Sequence, residues 1–135
     1  MSENRQFRAI LFELDAIMSW VRSMIPEQAL SERHKKFIIA VEEAIVNVIS
    51  YAYTVYPPGF IELECVKNPG HIDFIIKDQG APFNPLENTK STHAEANLEE
   101  REIGGLGIHL ILKLTDAVTY TRSDGWNILT LTLKF

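Results

Sequence analysis

Residues whose types and spacing could do chemistry lie in three short segments of this sequence. The first contains Glu43 and Asn47, which are four residues apart and therefore share one face of a predicted helix. A carboxylate and an amide placed together suit a general base and a ligand for a hard cation such as Mg²⁺. The alternative is a pair of solvent-exposed surface residues, which is the commoner reason for such a pattern.

The second segment is Asp78-Gln79-Gly80-Ala81-Pro82-Phe83, at the end of a predicted strand. An aspartate followed closely by a glycine is typical of a turn, and the segment taken alone favours that interpretation. In a binding site, Asp78 would instead accept a hydrogen bond from an exocyclic amine of a ligand. Gly80 would then let a flat ring approach the backbone, because glycine has no side chain.

The third segment, Gly104-Gly105-Leu106-Gly107, directly precedes a predicted helix. Glycines that lead into a helix N-terminus leave backbone N–H groups free to bind an anion such as a phosphate. The segment is not a Walker A loop, because no Lys-Ser/Thr pair follows it. It is not a dinucleotide-binding fingerprint either, because Leu110 stands where the third glycine would be and no strand precedes it. A flexible hinge is the alternative.

The composition excludes several classes of protein. The chain has 135 residues, one cysteine and a formal net charge of −5. The single cysteine, Cys65, excludes an internal disulfide and a cysteine-based zinc site. An acidic balance without a basic stripe argues against nucleic acid as a direct partner. The polar N-terminus and the lack of a long apolar run predict a single cytoplasmic domain over residues 1–135, with no membrane partner.

Apolar spacing predicts the elements that must position these segments. In chain order they are a strand over 5–12, a helix from an N-cap at Asp15 to Pro26, a helix from a cap at Ser31 to about Tyr53, strands over 60–66 and 71–77, a helix over 108–114, and strands over 118–122 and 127–135. Ile39 and Val46 lie away from the main apolar stripe of the second helix. We therefore expect this helix to be covered on two sides, which would enclose Glu43 and Asn47.

The polar segment that follows Asp78 has no clear period. Compact domains rarely keep so long a segment without a use for it, so residues 84–103 are predicted to form a lid. Hairpins separated by helices indicate an α+β fold. The expected architecture is a two-layer sandwich, in which helices cover one face of a mostly antiparallel sheet.

Each segment is weakly specific alone, but their order and spacing resemble those of the GHKL ATPase superfamily, which has a Bergerat-type ATP-binding fold. The matching pattern is a helix with Glu-x-x-x-Asn, a hairpin ending in Asp-x-Gly, a polar lid, and Gly-x-Gly opening a helix. The segments Val-Glu-Glu-Ala-Ile-Val-Asn and Asp-Gln-Gly-Ala-Pro-Phe-Asn-Pro are most similar to the bacterial anti-sigma factor serine/threonine kinases. The resemblance extends from about Asp15 to Phe135.

The resemblance implies roles for the residues that match the helix and the hairpin. Asn47 would bind the Mg²⁺ ion that bridges the phosphates of ATP, and Glu43 would be the catalytic base toward the attacking hydroxyl. Asp78 would bind the adenine amine, and Gly80 would make room for the ring. Pro82 stands where histidine kinases have a second glycine, and this departure fits the anti-sigma branch better.

The resemblance also implies roles for residues in the second half of the chain. Gly105, Leu106 and Gly107 would bind the phosphates as the lid closes. The anti-sigma branch often has an arginine close before these glycines, and here Arg101 lies four residues before Gly105. Many superfamily members place a threonine of the last strands near the adenine. The sequence offers two candidates for that position and leaves the register open: Asn127 and Thr130.

By resemblance, the chain is an anti-sigma factor with ATP and Mg²⁺ as cofactors. It would sequester a sigma factor and phosphorylate a serine or threonine of an anti-sigma factor antagonist protein, with a homodimer left open. One alternative is a non-catalytic, ATP-gated protein-binding module, against which Glu43 weighs because a pure binder does not need a base. Another is a detached histidine-kinase catalytic domain, against which the short chain and Pro82 weigh.

Overall fold

The computed structural model describes residues 1–25, 31–55, 57–86 and 106–135. Within these ranges, five strands and three α-helices are present. In chain order they are β1 (Ser2–Arg8), a 3-10 turn (Leu11–Glu13), α1 (Leu14–Ser23), α2 (Glu32–Asn47) with a π-helical continuation (Val48–Ala52), β2 (Phe60–Asn68), β3 (His71–Asp78), α3 (Leu106–Leu114), β4 (Ala117–Ser123) and β5 (Trp126–Lys134).

The strands form a single sheet in the order β1-β2-β3-β5-β4, and every neighbouring pair is antiparallel. Burial alternates along the central strands, with every second residue of β3 and β5 buried. Because successive side chains of a strand point to opposite faces, one face of the sheet carries the core. The buried residues of α1 and α2 belong to the same core. The predicted two-layer α+β fold is confirmed.

Aromatic side chains join the helices to the sheet at the centre of the core. The ring centroids of Phe37 on α2 and Phe74 on β3 are 5.8 Å apart, and those of Trp20 on α1 and Phe74 are 6.4 Å apart. Phe37 and Phe74 have no exposed surface. Burial of a side chain of this size contributes roughly 1.5–3 kcal/mol. These contacts therefore fix α2, which carries Glu43 and Asn47, against the strand that ends at Asp78.

Two predictions near the N-terminus are wrong. The first strand ends at Arg8 and not at residue 12, and Phe12 is 91% exposed. The pairing of Arg8 with Phe60 is the last between β1 and β2, because β2 begins at Phe60 and offers no partner further on. Asp15 is not an N-cap, because α1 continues directly from the 3-10 turn and begins at Leu14. Asp15 lies in the first turn of α1, where an acidic side chain is favourable.

The structure confirms the predicted start of the second helix but not the prediction that this helix is covered on two sides. The Ser31 hydroxyl caps α2 by accepting a hydrogen bond from the backbone N–H of His34. Val46 is half-buried, but Ile39 is 48% exposed among the described residues. The expectation that α2 is covered on both sides is therefore wrong at Ile39. The first helix ends at Ser23, before Pro26, where the sequence places its end. Residues 87–103 of the predicted lid lie outside the described ranges.

Cys65 is a core residue, as the alternation along β2 predicts, and 1% of its surface is exposed. Burial raises the pKa of its thiol from 9.0 to about 11. As the pH rises, the thiol therefore ionises in the unfolded protein before it ionises in the folded one. The contribution of the buried thiol to the free energy of unfolding is complete below pH 9 and is lost between about pH 9 and 11. We expect the free energy of unfolding to fall by about 1–2 kcal/mol between pH 8.5 and pH 10.

Urea unfolding at these two pH values tests this expectation, with Cys65→Ala as the matched control. The variant lacks the thiol, so its free energy of unfolding should depend less steeply on pH. The comparison is needed because burial also raises the pKa of Tyr53. Equal pH dependence in the two proteins would contradict the assignment to Cys65.

Candidate functional site

A pocket lies between α2, α3 and the sheet, at the end of β3. It has about 450 Å³ of space between its lining atoms, part of which is open to solvent. The lining is mostly apolar, and its only carboxylate and amide side chains among the described residues are those of Asn47, Asp78 and Asn127. The residues that line the pocket are Ala44, Asn47, Val48, Ala52, Ile76, Asp78, Phe83, Pro85, Ile111, Tyr120, Asn127 and Leu129. The structure therefore brings together Asn47 and Asp78, which the sequence predicts as ligand-binding residues. A concave, mostly apolar pocket with few polar groups is typical of a small-molecule site.

Asp78 is the last residue of β3 and lines the pocket. It continues the buried face of Phe74 and Ile76, so the alternation of the strand places its side chain under the helices. Only 5% of its surface is exposed. Its Oδ1 accepts hydrogen bonds from the backbone N–H of Gly80 and from Nδ2 of Asn127, both at 2.9 Å.

The second carboxylate oxygen of Asp78, Oδ2, has no hydrogen-bond partner among the described residues. No buried side-chain nitrogen or oxygen of these residues lacks a partner. Oδ2 must therefore reach accessible space, and Asp78 lines the pocket. Asp78, a residue of the pocket lining, thus keeps one carboxylate oxygen that no described residue donates to.

Gly80 allows the loop after β3 to approach the end of the second helix. A Cβ atom placed on Gly80 would lie 2.0 Å from the carbonyl oxygen of Ala52 and 2.6 Å from its carbonyl carbon. The neighbouring N–H of Ala81 donates a hydrogen bond to the same oxygen, at 3.3 Å. Close backbone packing therefore requires a glycine here. The sequence-based reason, room for a flat ring, stays a prediction.

Replacing Gly80 with alanine is expected to destabilise the fold by about 1–3 kcal/mol, because the new methyl group meets backbone atoms that cannot rotate away. Urea unfolding monitored by circular dichroism measures this effect. Ala81→Ser is the matched control, since Ala81 is exposed and such substitutions usually stay within about 0.5 kcal/mol. Equal stability of Gly80→Ala and the unmutated protein would show that the backbones can separate.

Asn127 is a site residue whose position the sequence left open. In the ladder between β3 and β5, Asn127 pairs with Asp78, and it is 5% exposed. Its amide donates to Asp78 Oδ1 and to the carbonyl of Ala81, both at 2.9 Å. Thr130 pairs with Ile75 and lies on the opposite face of β5, because it is three residues from Asn127. The register therefore selects Asn127 and not Thr130.

Two further residues hold the loop after β3, and no sequence signal marked either of them. The Tyr53 hydroxyl donates to the carbonyl of Phe60 at 2.6 Å and accepts from the N–H of Gln79 at 2.9 Å. Arg122 on β4 donates to the carbonyl of Gly80 at 2.8 Å. Burial raises the pKa of the Tyr53 hydroxyl; the Gln79 hydrogen bond acts in the opposite direction, and the charge of Asp78 raises it further.

Asn47 and Glu43 are one helical turn apart on α2, and both are half-buried. Asn47 lines the pocket, and Glu43 is not among the described residues that do. Asn47 is also the last α-helical residue before the π-helical turn, a feature that often marks functional sites. The role of Glu43 as a base stays a prediction.

An Mg²⁺ ion fits the chemistry at Asn47 when a polyphosphate supplies its other ligands. No group of three or more His, Cys, Asp or Glu side chains in the described ranges could hold a metal ion by itself. Mg²⁺ is usually bound by one or two protein oxygens together with waters and substrate phosphates. The side-chain oxygen of Asn47 is a suitable donor, and Asn47 lines the pocket.

The predicted phosphate-binding segment is described only in part. Gly105 and Arg101 lie outside the described residues, whereas Leu106 and Gly107 are the first two residues of α3. α3 also contributes Ile111 to the pocket wall. The proposed roles of Gly105, Leu106 and Gly107 therefore stay predictions. Among the described residues, no helix is long and apolar enough to cross a membrane.

Curated proteins of similar sequence include serine- and serine/threonine-protein kinases. Serine/threonine-protein kinase BtrW of Bordetella bronchiseptica is 33% identical over 94 residues, which cover 70% of this chain and 66% of BtrW. Serine-protein kinase RsbW of Oceanobacillus iheyensis is 34% identical over 91 residues, covering 64% of this chain and 57% of RsbW. Serine-protein kinase RsbW of Staphylococcus epidermidis is 36% identical over 95 residues, which cover 67% of this chain and 59% of that protein. The chain thus matches 57–66% of the length of these curated relatives.

The fold matches a solved structure over nearly the whole chain. A crystal structure of the RsbU and RsbW domains of a Mycobacterium tuberculosis protein superimposes with a TM-score of 0.69, covering 99% of this chain and 32% of that one. The sequence identity is 12%, so this match concerns the fold alone. The family model described as a histidine kinase-like ATPase domain matches residues 6–133. This chain therefore belongs to the family of histidine kinase-like ATPase domains.

Proposed function

We propose that this chain binds ATP together with Mg²⁺ and is a protein serine/threonine kinase of the anti-sigma type. The observation that carries the nucleotide part is the mostly apolar pocket lined by Asp78, whose Oδ2 accepts no hydrogen bond from the described residues. An adenine ring offers apolar faces and an exocyclic amine, which match that wall and that oxygen. The names of the curated relatives, all serine- or serine/threonine-protein kinases, support the kinase part.

The proposed reaction is the direct transfer of the γ-phosphate of ATP to a serine or threonine hydroxyl. Phosphoryl transfer requires mainly positioning and neutralisation of charge, and bound Mg²⁺ would supply the latter. Asp78 would orient the adenine base, and Asn47 would hold the Mg²⁺ ion by its amide oxygen. Glu43, one turn from Asn47, would accept the proton of the attacking hydroxyl. By its resemblance to the anti-sigma branch, the chain would take an anti-sigma factor antagonist as substrate and sequester a sigma factor.

One observation favours a second candidate, an ATP-gated binding module without catalysis. Glu43 is half-buried on α2 and does not line the pocket within the described part of the chain. A protein that only switches partners on binding ATP would need Asp78 and Asn47 but no base. The two candidates share the nucleotide site and differ in whether phosphate is transferred.

The test is incubation of the full chain with γ-labelled ATP, Mg²⁺ and a panel of candidate antagonist proteins, each with a Ser/Thr→Ala version as control. We expect label on one antagonist, dependent on Mg²⁺ and lost in its alanine version. ATP binding without transfer to any antagonist would favour the binding module. A lack of ATP binding would overturn both candidates.

A further inference from the structure

Asp78 is connected by hydrogen bonds to two residues of the neighbouring strands, Asn127 and Tyr120. Hydrogen bonds run from Tyr120 on β4 through Asn127 on β5 to Asp78 on β3, so three strands of the sheet contribute one group each. All three residues line the pocket. This relay, Tyr120–Asn127–Asp78, ends on Oδ1 of Asp78.

The surroundings of Asn127 fix the orientation of its amide. Nδ2 lies 2.9 Å from Asp78 Oδ1 and 2.9 Å from the carbonyl oxygen of Ala81, both of which only accept hydrogen bonds. On the other side, the backbone N–H of Phe83 donates to Oδ1 of Asn127 at 3.3 Å, and the Tyr120 hydroxyl donates to the same atom. A rotated amide would place oxygen against two acceptors and nitrogen against a donor. Tyr120 therefore helps to hold the NH₂ group toward Asp78.

The fixed amide determines which oxygen of Asp78 is left for a ligand. Oδ1 of Asp78 is occupied by two donors, the Asn127 amide and the Gly80 N–H. Only Oδ2 remains, and a carboxylate oxygen accepts and does not donate. A ligand group at this position must therefore be a donor, such as an exocyclic amine, and a carbonyl oxygen would face an acceptor.

We propose that Asn127 and Tyr120 are positioning residues that set the base specificity of the pocket. They act through Asp78, which they hold with a single acceptor toward the ligand. This inference rests on the proposed function, because it takes an adenine nucleotide as the ligand. Its test needs a readout that a merely structural role would not change. The preference for a base with an amine over the same base without it is such a readout.

The experiment measures dissociation constants for ATP and for purine riboside triphosphate, whose base lacks the exocyclic amine, by calorimetry. We expect the unmutated protein to prefer ATP by about 10-fold or more, the value of one charge-assisted hydrogen bond. Tyr120→Phe removes a single hydroxyl and should reduce this preference by about threefold. Asn127→Leu should bring the ratio of the two dissociation constants close to one. Thr130→Val, on the opposite face of β5, is the matched control and should retain the full preference.

A double-mutant cycle tests whether Asn127 acts through Asp78. In an Asp78→Ala background, which leaves no carboxylate for Asn127 to orient, adding Asn127→Leu should leave the nucleotide preference unchanged. Should Asn127→Leu fail to fold, Tyr120→Phe alone decides, because it retains the ring. If both variants weaken the two nucleotides equally, the relay is only structural and the inference is wrong. If the unmutated protein binds neither nucleotide, the proposed function is wrong and the inference falls with it.

Discussion

Replacement of Asp78 with asparagine should lower the affinity for ATP by about 100-fold while the fold remains intact. The two donors at Oδ1, the Gly80 N–H and the Asn127 amide, would keep the amide oxygen of the new side chain in that position. The new NH₂ group would then occupy the place of Oδ2 and face the pocket. A donor would meet the donor of the adenine amine, so the loss exceeds that of a single hydrogen bond.

Thermal shift and calorimetry with ATP and GTP check this prediction. A nucleotide that binds only the folded protein raises its melting temperature by mass action, so the unmutated protein should respond more to ATP than to GTP. Asp78→Asn should lose most of the rise in melting temperature that ATP causes. The difference between the responses to ATP and GTP should therefore become smaller, because guanine carries a carbonyl where adenine carries the amine. Equal responses of the unmutated protein to both nucleotides would contradict the role assigned to Asp78.

Replacement of Glu43 with glutamine should reduce phosphoryl transfer by about 100-fold or more and leave ATP affinity within a few fold. Glutamine keeps the size of the side chain and much of its hydrogen bonding but cannot accept the proton. A general base contributes roughly 10²–10⁴-fold to a rate and little to ground-state binding. Asn47→Ala should behave differently, because it removes the proposed Mg²⁺ ligand and should therefore weaken Mg²⁺-dependent binding and transfer together.

Single-turnover transfer to an unphosphorylated antagonist, with calorimetric ATP binding on the same samples, separates the two effects. Glu42→Gln is the matched control, because Glu42 is the neighbouring half-buried glutamate on α2 and has no assigned role. Transfer at the normal rate by Glu43→Gln would exclude Glu43 as the base. A fall in ATP affinity as large as the fall in rate would indicate that Glu43 acts in binding.

Local patterns were sufficient to predict most of the fold. Period-two alternation located β2 and β3 to within two residues at each end, and the Ser31 cap located the start of α2. The first strand was predicted too long, because its end depends on where its partner β2 begins and not on its own residues. Local spacing also suggested a second cover over α2, but whether Ile39 is buried depends on packing that no local pattern encodes.

The site was predictable only where a single element carries the information. Asn47 and Asp78 were identified by their positions on one helix and one strand, and the structure places both in the same pocket. Asn127 is 49 residues from Asp78, and only the register between β3 and β5 brings their side chains together. The need for Gly80 arises from the backbone of Ala52, which no sequence pattern connects to it. Contacts between residues far apart in the sequence therefore determine these parts of the site, and local sequence patterns do not predict such contacts.

The loop that follows β3 has a consequence for the thermodynamics of binding. Arg122 and Asn127 donate hydrogen bonds to this loop, and Tyr53 and the carbonyl of Ala52 accept hydrogen bonds from it. The acceptor of Asp78 is thus preorganised, since the entropy of ordering this loop is lost during folding and not during association. A protein with the same contacts but a loose loop would bind the same ligand more weakly. Substitutions that only loosen the loop, such as Tyr53→Phe, would therefore weaken binding without removing any contact to the ligand.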